Sequence, residues 1–300
     1  MTENDINKDY SCMDDYDPNS ILPDEALRRI FATISAITET ESIPIREALG
    51  RVLATNIISE INVPSGRNSA MDGYAINAAD LPPEGTIPLE LIGSCFAGKP
   101  FDGEIKKGEC VRIMTGAIMP EGSDTVVMQE LVEVSGNQIS IGNDTKSGSN
   151  VRQAGEDLAI GDLVLEKGMK LSPADIGLLA SLGLAEVSLT RKLRVAFFST
   201  GDELRSVGEK QDNGAIYDSN RYTLYGMLSR LGVDIIDMGV VKDDPELMDQ
   251  AFLEAADNTD VLITSGGVSV GEADYVKETL LKHGEVDFWK VAMKPGRPLT

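Results

Sequence analysis

The sequence predicts a multidomain α/β protein with a doubly wound, mostly parallel sheet domain, an inserted small all-β domain and a helical linker region. Its 300 residues are enough for about two domains. Apolar runs typical of strands alternate with helical patterns after Arg191, which indicates a parallel sheet with helices on both faces. Between residues 61 and 161, short apolar runs are separated by Gly, Pro, Asn and Asp, as in small all-β domains.

The N-terminal part is predicted to contain a tail and two helices. Residues 1–21 are rich in Asp and Glu and poor in apolar side chains, so we expect a disordered acidic tail. Residues 22–60 are predicted to hold helices and a linker. Apolar residues recur at helical spacing from Pro23 to about Thr38, and a second helix is predicted from Ile45 to Ala54.

The β region, residues 61–161, is followed by a predicted helical linker, residues 162–190. A β-hairpin is predicted around Gly136. Ser172 and the Pro and Asp that follow it predict a helix that ends near Leu182, before Gly183. Because helices are predicted on both sides of the β region, we interpret that region as an insertion.

Residues 191–300 are predicted to form the α/β domain. Its predicted strands are 194–198, 233–238, 261–263 and 286–292, and its predicted helices are 219–231, 245–257 and 272–282. Sheets of this class bind ligands at the carboxyl ends of their strands. The sequence stops at Thr300 in a polar loop, so we expect an incomplete α/β domain from a longer protein.

Composition excludes several classes of protein. The net charge of −22 argues against a nucleic-acid binder, which needs a basic surface. The single histidine, His283, excludes a His-rich metal site, and the three cysteines show no CxxC spacing. No apolar run reaches the ~18 residues of a membrane-spanning helix, and the acidic N-terminus is no secretory signal. We therefore expect a soluble, cytoplasmic protein without membrane contact.

The strongest local motif is TSGGVSVGEADY, residues 264–275, between a predicted strand and a predicted helix. Its glycines allow a close approach of the backbone to a ligand, and the helix N-terminus offers N–H groups to an anion. Ser265 and Ser269 add hydroxyl donors. The pattern favours a phosphate-type anion, and the alternative is a Gly-rich turn that binds nothing.

Carboxylates follow successive predicted strands at Glu203, Asp243 and Asp274. In a doubly wound sheet these strand ends share one edge, and carboxylates beside a phosphate are the ligands that Mg²⁺ prefers. Each one alone is also a plausible helix cap. Lys290, Lys294 and Arg297 make the segment 286–300 locally basic, suited to an anionic substrate or simply to a solvated loop.

Three further motifs lie in the β region, where turn-forming residues are dense: PSGRNSAMDGYA, RIMTGA and NVRQAGED. Together with FFSTGDEL, DDP, SGGVSVGEADY and WKVAMKPGRP, in this order, they resemble the molybdopterin molybdenumtransferase family (MoeA-like, including the E domain of gephyrin). The resemblance covers about residue 22 to the end and implies a molybdopterin-binding α/β domain. Members of that family continue past the KPG[KR]P loop, where this sequence stops.

The resemblance implies the last step of molybdenum cofactor assembly. Molybdate enters adenylylated molybdopterin in a step that depends on Mg²⁺ or Zn²⁺, the adenylate is hydrolysed and AMP leaves. It also implies a homodimer whose active site lies between the α/β domain of one subunit and the inserted β domain of the other. A molybdopterin adenylyltransferase is implied as the upstream partner.

The resemblance also assigns roles to individual residues by motif. The catalytic residues are Asp72, Thr115, Glu203, Asp243 and Asp274, and the last three of these are the implied metal ligands. The substrate-binding residues are Ser265, Gly266, Gly267, Ser269, Lys290, Lys294, Arg152, Asp157 and Arg297. Two other functions stay open: a non-enzymatic scaffold of the gephyrin type, and a molybdopterin adenylyltransferase.

Overall fold

A computed structural model describes residues 20–266 and 275–293. The predicted site residues Gly267, Ser269, Asp274, Lys294 and Arg297 lie outside the described residues, as does almost all of the predicted acidic tail. The chain divides into two compact units. The first unit combines Met1–Glu39 with Thr190–Thr300, and the second is Thr40–Leu189.

The helices and strands are named in chain order. The α-helices are α1 (Pro23–Thr33), α2 (Pro173–Ser181), α3 (Ser219–Leu231), α4 (Pro245–Asn258) and α5 (Tyr275–His283). The strands are β1 (Thr40–Pro44), β2 (Ile57–Ile58), β3 (Asn68–Ser69), β4 (Gly73–Ile76), β5 (Ile87–Cys95), β6 (Glu109–Ile113), β7 (Thr125–Met128), β8 (Val132–Ser135), β9 (Gln138–Ile141), β10 (Val151–Arg152), β11 (Leu163–Leu165), β12 (Glu186–Thr190), β13 (Arg194–Thr200), β14 (Leu204–Arg205), β15 (Ile216–Tyr217), β16 (Asp234–Val241) and β17 (Val261–Ser265).

In the second unit, segments on both sides of the β region share one apolar core. Leu53, Leu165, Leu179 and Leu189 are fully or almost fully buried in it. The predicted helix after Ser172 is confirmed as α2, and Ser172 forms a capping box with Asp175.

The predicted helix from Ile45 to Ala54 is wrong. Only Ile45–Glu47 forms a short 3-10 helix. The following backbone is engaged elsewhere, because Leu53 N–H donates to the Met169 carbonyl and Ala54 N–H donates to the Ser188 carbonyl. These bonds to residues distant in sequence outweigh the local helical periodicity.

The β region is built around a six-stranded sheet in the order β7-β4-β6-β5-β9-β8. The predicted hairpin is confirmed, since β8 and β9 pair antiparallel around Gly136. Buried apolar side chains form two clusters, one including Val111 and Ile113 and the other including Ile139. Cys95 and Cys110 are free and buried, and burial raises the pKa of the Cys110 thiol to about 12.

In the first unit, the predicted parallel sheet is confirmed as three strands in the order β16-β13-β17. Helices cover both faces, as the alternation predicts. Phe197 packs with Leu228 of α3 on one face. Phe198 packs with Met248 of α4 and Val276 of α5 on the other. This arrangement places the carboxyl ends of the three strands at one edge.

Two predicted elements of the first unit differ from the structure. Helix α1 ends at Thr33 rather than near Thr38, and Ile34 is already extended. The Thr33 hydroxyl donates to carbonyls of the last turn, and residues 34–39 form neither a helix nor a strand before β1 begins at Thr40. The predicted strand 286–292 is reduced to a single parallel bridge between Val291 and Ile21, since its backbone pairs with the N-terminal segment instead of a sheet strand.

Across residues 20–266 and 275–293, no helix has the length and apolar character needed to cross a membrane.

Candidate functional site

Asp72 and Thr115 meet in the β region, although 43 positions separate them in the sequence. The Asp72 carboxylate Oδ1 accepts the backbone N–H of Thr115 at 2.8 Å and its hydroxyl at 2.7 Å. These two hydrogen bonds, the backbone one foremost, hold the pKa of Asp72 below its ordinary value, and Arg112 adds to the effect. The carboxylate is exposed, charged at neutral pH and fixed in orientation.

Backbone pairing fixes both partners of this contact. Asp72 immediately precedes β4, and its carbonyl accepts the N–H of Gln129 at 3.1 Å. Thr115 follows β6 in a turn where Gly116 N–H donates to the Ser69 carbonyl at 2.8 Å. The site is therefore supported by strand pairing on both sides rather than by mobile side chains.

A third motif joins the same surface. Strand β10 pairs antiparallel with β3, which places Arg152 beside Asn68 and Val151 beside Ser69. Arg152 forms an ion pair with Asp157, with 2.5 Å between Nη2 and Oδ2, and this bond raises the pKa of Arg152. Ser69 thus contacts the turn of Thr115 through Gly116 and pairs with β10 through Val151. Three motifs that are separate in the sequence converge at this residue.

The carboxyl edge of the parallel sheet forms a second group of residues in the first unit. Thr200, the last residue of β13, donates its hydroxyl to Asp243 Oδ1 at 2.5 Å. Asp243 follows β16 and is half-buried. The two strand ends are thereby joined through a carboxylate that keeps its second oxygen for another partner.

Glu203 lies in the turn that follows β13, and its side chain is exposed. Its backbone carbonyl accepts the N–H of Ile216 at 2.9 Å, so the turn is anchored against β15. A Cβ added to Gly201 would lie 2.6 Å from Glu203 Oε2, so the carboxylate folds back over that glycine. Among the described residues, none donates a hydrogen bond to the Glu203 carboxylate.

Ser265 and Gly266 belong to the glycine-rich motif of residues 264–275, which is called the anion loop below. Gly266 has φ +98°, and a Cβ there would lie 2.3 Å from the Thr200 carbonyl oxygen, so only glycine fits. Ser265 Oγ accepts a hydrogen bond from the side-chain amide of Asn220, with 3.1 Å between Nδ2 and Oγ. Lys290 is half-buried, and its carbonyl accepts the N–H of Ile21 at 3.0 Å.

The described residues do not complete the predicted metal site. Among them, no three His, Cys, Asp or Glu side chains are grouped as metal ligands. Asp243 and Glu203 supply hard oxygen donors of the type that Mg²⁺ prefers, but the third predicted ligand, Asp274, is not described. The described part of the edge therefore does not by itself fit a divalent metal.

The sequence reasoning missed Asp218 and Asn220, which lie in the segment YDSN. Asp218 is the N-cap of α3, and its Oδ1 accepts the N–H of Arg221 at 3.1 Å. The signal was present, because an Asp immediately before a predicted helix is a typical N-cap. The contact of Asn220 with Ser265 joins residues 45 positions apart and had no local signal.

Comparison with known families shows two matches. Residues 21–183 match the family model of the MoeA N-terminal region (domain I and II). Residues 196–300 match the model described as a probable molybdopterin binding domain. Together the two matched segments contain all of the site residues considered above.

Individual relatives give the same result. The chain is 46% identical to a molybdopterin molybdenumtransferase of Haemophilus influenzae, over 92% of this chain and 68% of the relative. It is 38% identical to a protein of the same name from Nostoc, over 87% of this chain and 61% of the relative. The crystal structure of a MoeA protein from Pyrococcus horikoshii matches with a TM-score of 0.81 and 33% identity, covering 93% of this chain and 71% of that one. The chain thus spans about two thirds of the length of these relatives.

Proposed function

The chain belongs to the MoeA family of molybdenum cofactor biosynthesis, and we propose that it acts as a molybdopterin molybdenumtransferase. In this reaction molybdate is inserted into adenylylated molybdopterin, the adenylate is hydrolysed and AMP is released. The names of the relatives support the transfer of molybdenum to molybdopterin. The release of AMP is part of the proposal.

The observation that carries the proposal is the contact of Asp72 with Thr115. Two motifs far apart in the sequence create one oriented, charged carboxylate. A fixed, charged carboxylate can accept a hydrogen bond from a reacting group without reorganisation. We assign Asp72 this role, and we assign Thr115 the role of holding it.

The carboxyl edge of the parallel sheet supports the binding half of the proposal. Gly266 lets the backbone turn directly over Thr200, and Ser265 offers a hydroxyl at the start of the anion loop. These groups suit a phosphate oxygen of the substrate. Arg152 is proposed to contact the substrate from the β region, with its guanidinium oriented by Asp157.

A divalent metal, Mg²⁺ or Zn²⁺, stays part of the proposal, with Glu203, Asp243 and Asp274 as its proposed ligands. When bound, such an ion would stabilise negative charge on phosphate or molybdate oxygens. Asp243 would be oriented by Thr200, whereas Glu203 would bring a carboxylate without a described competing partner. Because the described residues supply two of the three ligands, no step of the reaction is assigned to the metal.

We also propose that the protein is a homodimer that receives its substrate from a molybdopterin adenylyltransferase. Light scattering coupled to size-exclusion chromatography tests the first part. The expected mass is twice the 32.2 kDa of this chain. A mass of 32.2 kDa across the working concentration range contradicts the dimer.

The function is tested by measuring AMP released from adenylylated molybdopterin with and without molybdate. We expect release that depends on molybdate and molybdopterin that gains molybdenum. Consumption of ATP with free molybdopterin, without molybdate, would instead indicate an adenylyltransferase. Tight binding of a partner peptide with no turnover would indicate a scaffold.

A further inference from the structure

Ser265 lies on the face of the parallel sheet that α3 covers. In the register of β13 and β17, Ser265 is opposite Ser199, and Ile263 is opposite Phe197. Ile263 and Phe197 pack with Leu228 of α3. Because side chains two positions apart on a strand share a face, Ser265 and Ser199 face the same side, towards the first turn of α3.

Asn220, in that first turn, reaches Ser265 directly. Its Nδ2 donates to Ser265 Oγ at 3.1 Å. An amide N–H can only donate, so the serine oxygen is the acceptor and its own hydrogen is directed elsewhere. No residue in 20–266 or 275–293 accepts that hydrogen. Among the described residues, the hydroxyl hydrogen is therefore not used, and Asn220 directs it away from the first turn of α3.

The surroundings of this contact are polar, buried and incompletely paired. Ser199 Oγ and Asp218 Oδ2 are buried, and neither has a hydrogen-bond partner among the described residues. Ser199 is 1% exposed and Asp218 is 2% exposed. Buried polar atoms are normally paired, so the first turn of α3 retains hydrogen-bonding capacity on the side of Ser265.

We propose that Asn220 is a positioning residue for the molybdenumtransferase reaction. It holds Ser265 Oγ as an acceptor, so that the Ser265 hydroxyl hydrogen is donated to a phosphate oxyanion of adenylylated molybdopterin. Asn220 acts through Ser265 and does not itself touch the substrate. The inference rests on the proposed function and extends it to a residue outside the recognised motifs.

The test compares Asn220→Ala, Asn220→Asp, Ser265→Ala and the double variant Asn220→Ala/Ser265→Ala. Calorimetry gives the Kd for adenylylated molybdopterin, and AMP release gives KM and kcat. We expect Asn220→Ala to raise Kd and KM about tenfold with little change in kcat. Asn220→Asp should raise them further, because its carboxylate accepts the Ser265 hydrogen and adds negative charge near the anion.

Double-mutant behaviour separates positioning from general damage. If Asn220 acts through Ser265, the double variant should bind as weakly as Ser265→Ala and no more weakly. Asn258→Ala, which removes an exposed asparagine amide from α4 of the same unit, is the matched control and should leave Kd unchanged.

The outcomes distinguish this inference from the function on which it rests. An active wild-type chain with unchanged Kd and KM in Asn220→Ala overturns the role of Asn220 and leaves the function standing. Additive losses in the double variant also overturn it. A wild-type chain that neither binds adenylylated molybdopterin nor releases AMP overturns both.

Discussion

The two groups of site residues hold their carboxylates to different degrees. In the β region, Asp72 accepts two hydrogen bonds from one residue, and its pKa is lowered as a result. At the carboxyl edge of the parallel sheet, Glu203 accepts no hydrogen bond from any residue that the structure describes, and Asp243 accepts one, from Thr200.

This difference separates two uses of the same chemical group. A carboxylate that accepts two hydrogen bonds at one oxygen is held in orientation and keeps its charge, which suits a group that must point its other oxygen at one reacting atom. A carboxylate with unused lone pairs can still bind a hydroxyl, a metal ion or a substrate donor. The comparison therefore predicts unequal consequences when the partners of each carboxylate are removed.

The largest effect on substrate affinity at the carboxyl edge is expected from Gly266→Ala. A Cβ at Gly266 would lie 2.3 Å from the Thr200 carbonyl oxygen, so the backbone must move. A displacement of this kind costs about a hundredfold in productive binding. Calorimetric titration with adenylylated molybdopterin measures the loss.

Gly208→Ala is the matched control, because Gly208 has nearly the same φ, +97°, and nothing within 4 Å of the added Cβ. Both variants carry the strain of a positive φ, and only Gly266→Ala carries the clash. Equal losses of affinity in the two variants would show that the contact with Thr200 does not matter.

A smaller effect is expected from Thr200→Val, which removes the donor to Asp243 and keeps the side-chain shape. Losing one hydrogen bond to a charged group should reduce AMP release roughly tenfold. Asp243→Asn should reduce it more, because the charge itself is lost. An unchanged rate in Thr200→Val would mean that Asp243 needs no orientation.

Thr115→Val tests the hydrogen bonds by which Thr115 orients the Asp72 carboxylate. It removes the hydroxyl donor but keeps the backbone N–H, which is the larger cause of the lowered pKa of Asp72. We expect the pKa of Asp72 to rise part of the way to its ordinary value, and AMP release to fall roughly tenfold. NMR titration of the Asp72 carboxyl measures the pKa, and Thr86→Val, an exposed threonine of the β region, is the control.

The smallest effect is expected from Asp260→Asn, a carboxylate held away from the site. Arg191 donates to both Asp260 oxygens, and the Arg194 N–H adds a third bond, so the pKa of Asp260 falls to about 2. A lowered pKa stabilises the fold above the ordinary value near 4, and this stabilisation is lost as pH falls towards 2.

The Asp260→Asn variant should therefore melt a few degrees below wild type at pH 7, and the difference should shrink as pH falls through this range. Thermal unfolding at pH 7, 5 and 3 measures it, with the exposed Asp257→Asn as control. A constant difference at all three values would contradict the assigned cause.

Sequence reasoning worked where the signal was local. The helix that follows Ser172, the hairpin at Gly136 and the strand that begins at Arg194 each depend on residues close together, and each was predicted, although the strand extends two residues beyond its predicted end at residue 198. It failed where hydrogen bonds between residues distant in the sequence determine the structure. The segment from Ile45 to Ala54 has helical spacing, yet its backbone N–H groups donate to the carbonyls of Met169, Leu171 and Ser188.

The candidate site shows the same limit. The motifs alone identified the loops around Asp72, Thr115 and Ser265 as candidates, but no spacing rule connects Thr115 to Asp72 or Asn220 to Ser265. Those contacts follow from strand pairing and from the packing of α3 on the sheet. The sequence thus identified the candidate residues, whereas their hydrogen-bond partners became known only from the fold.

AMP release from adenylylated molybdopterin by Asp72→Ala and Glu203→Ala tests the proposed roles of both site groups most directly. We expect a loss of about 10³-fold in each variant, with melting temperatures like that of wild type, since both side chains are exposed. Glu133→Ala and Asp257→Ala, exposed carboxylates of the β region and of α4, should release AMP at the wild-type rate. Wild-type rates in Asp72→Ala and Glu203→Ala would contradict the assignment of both groups.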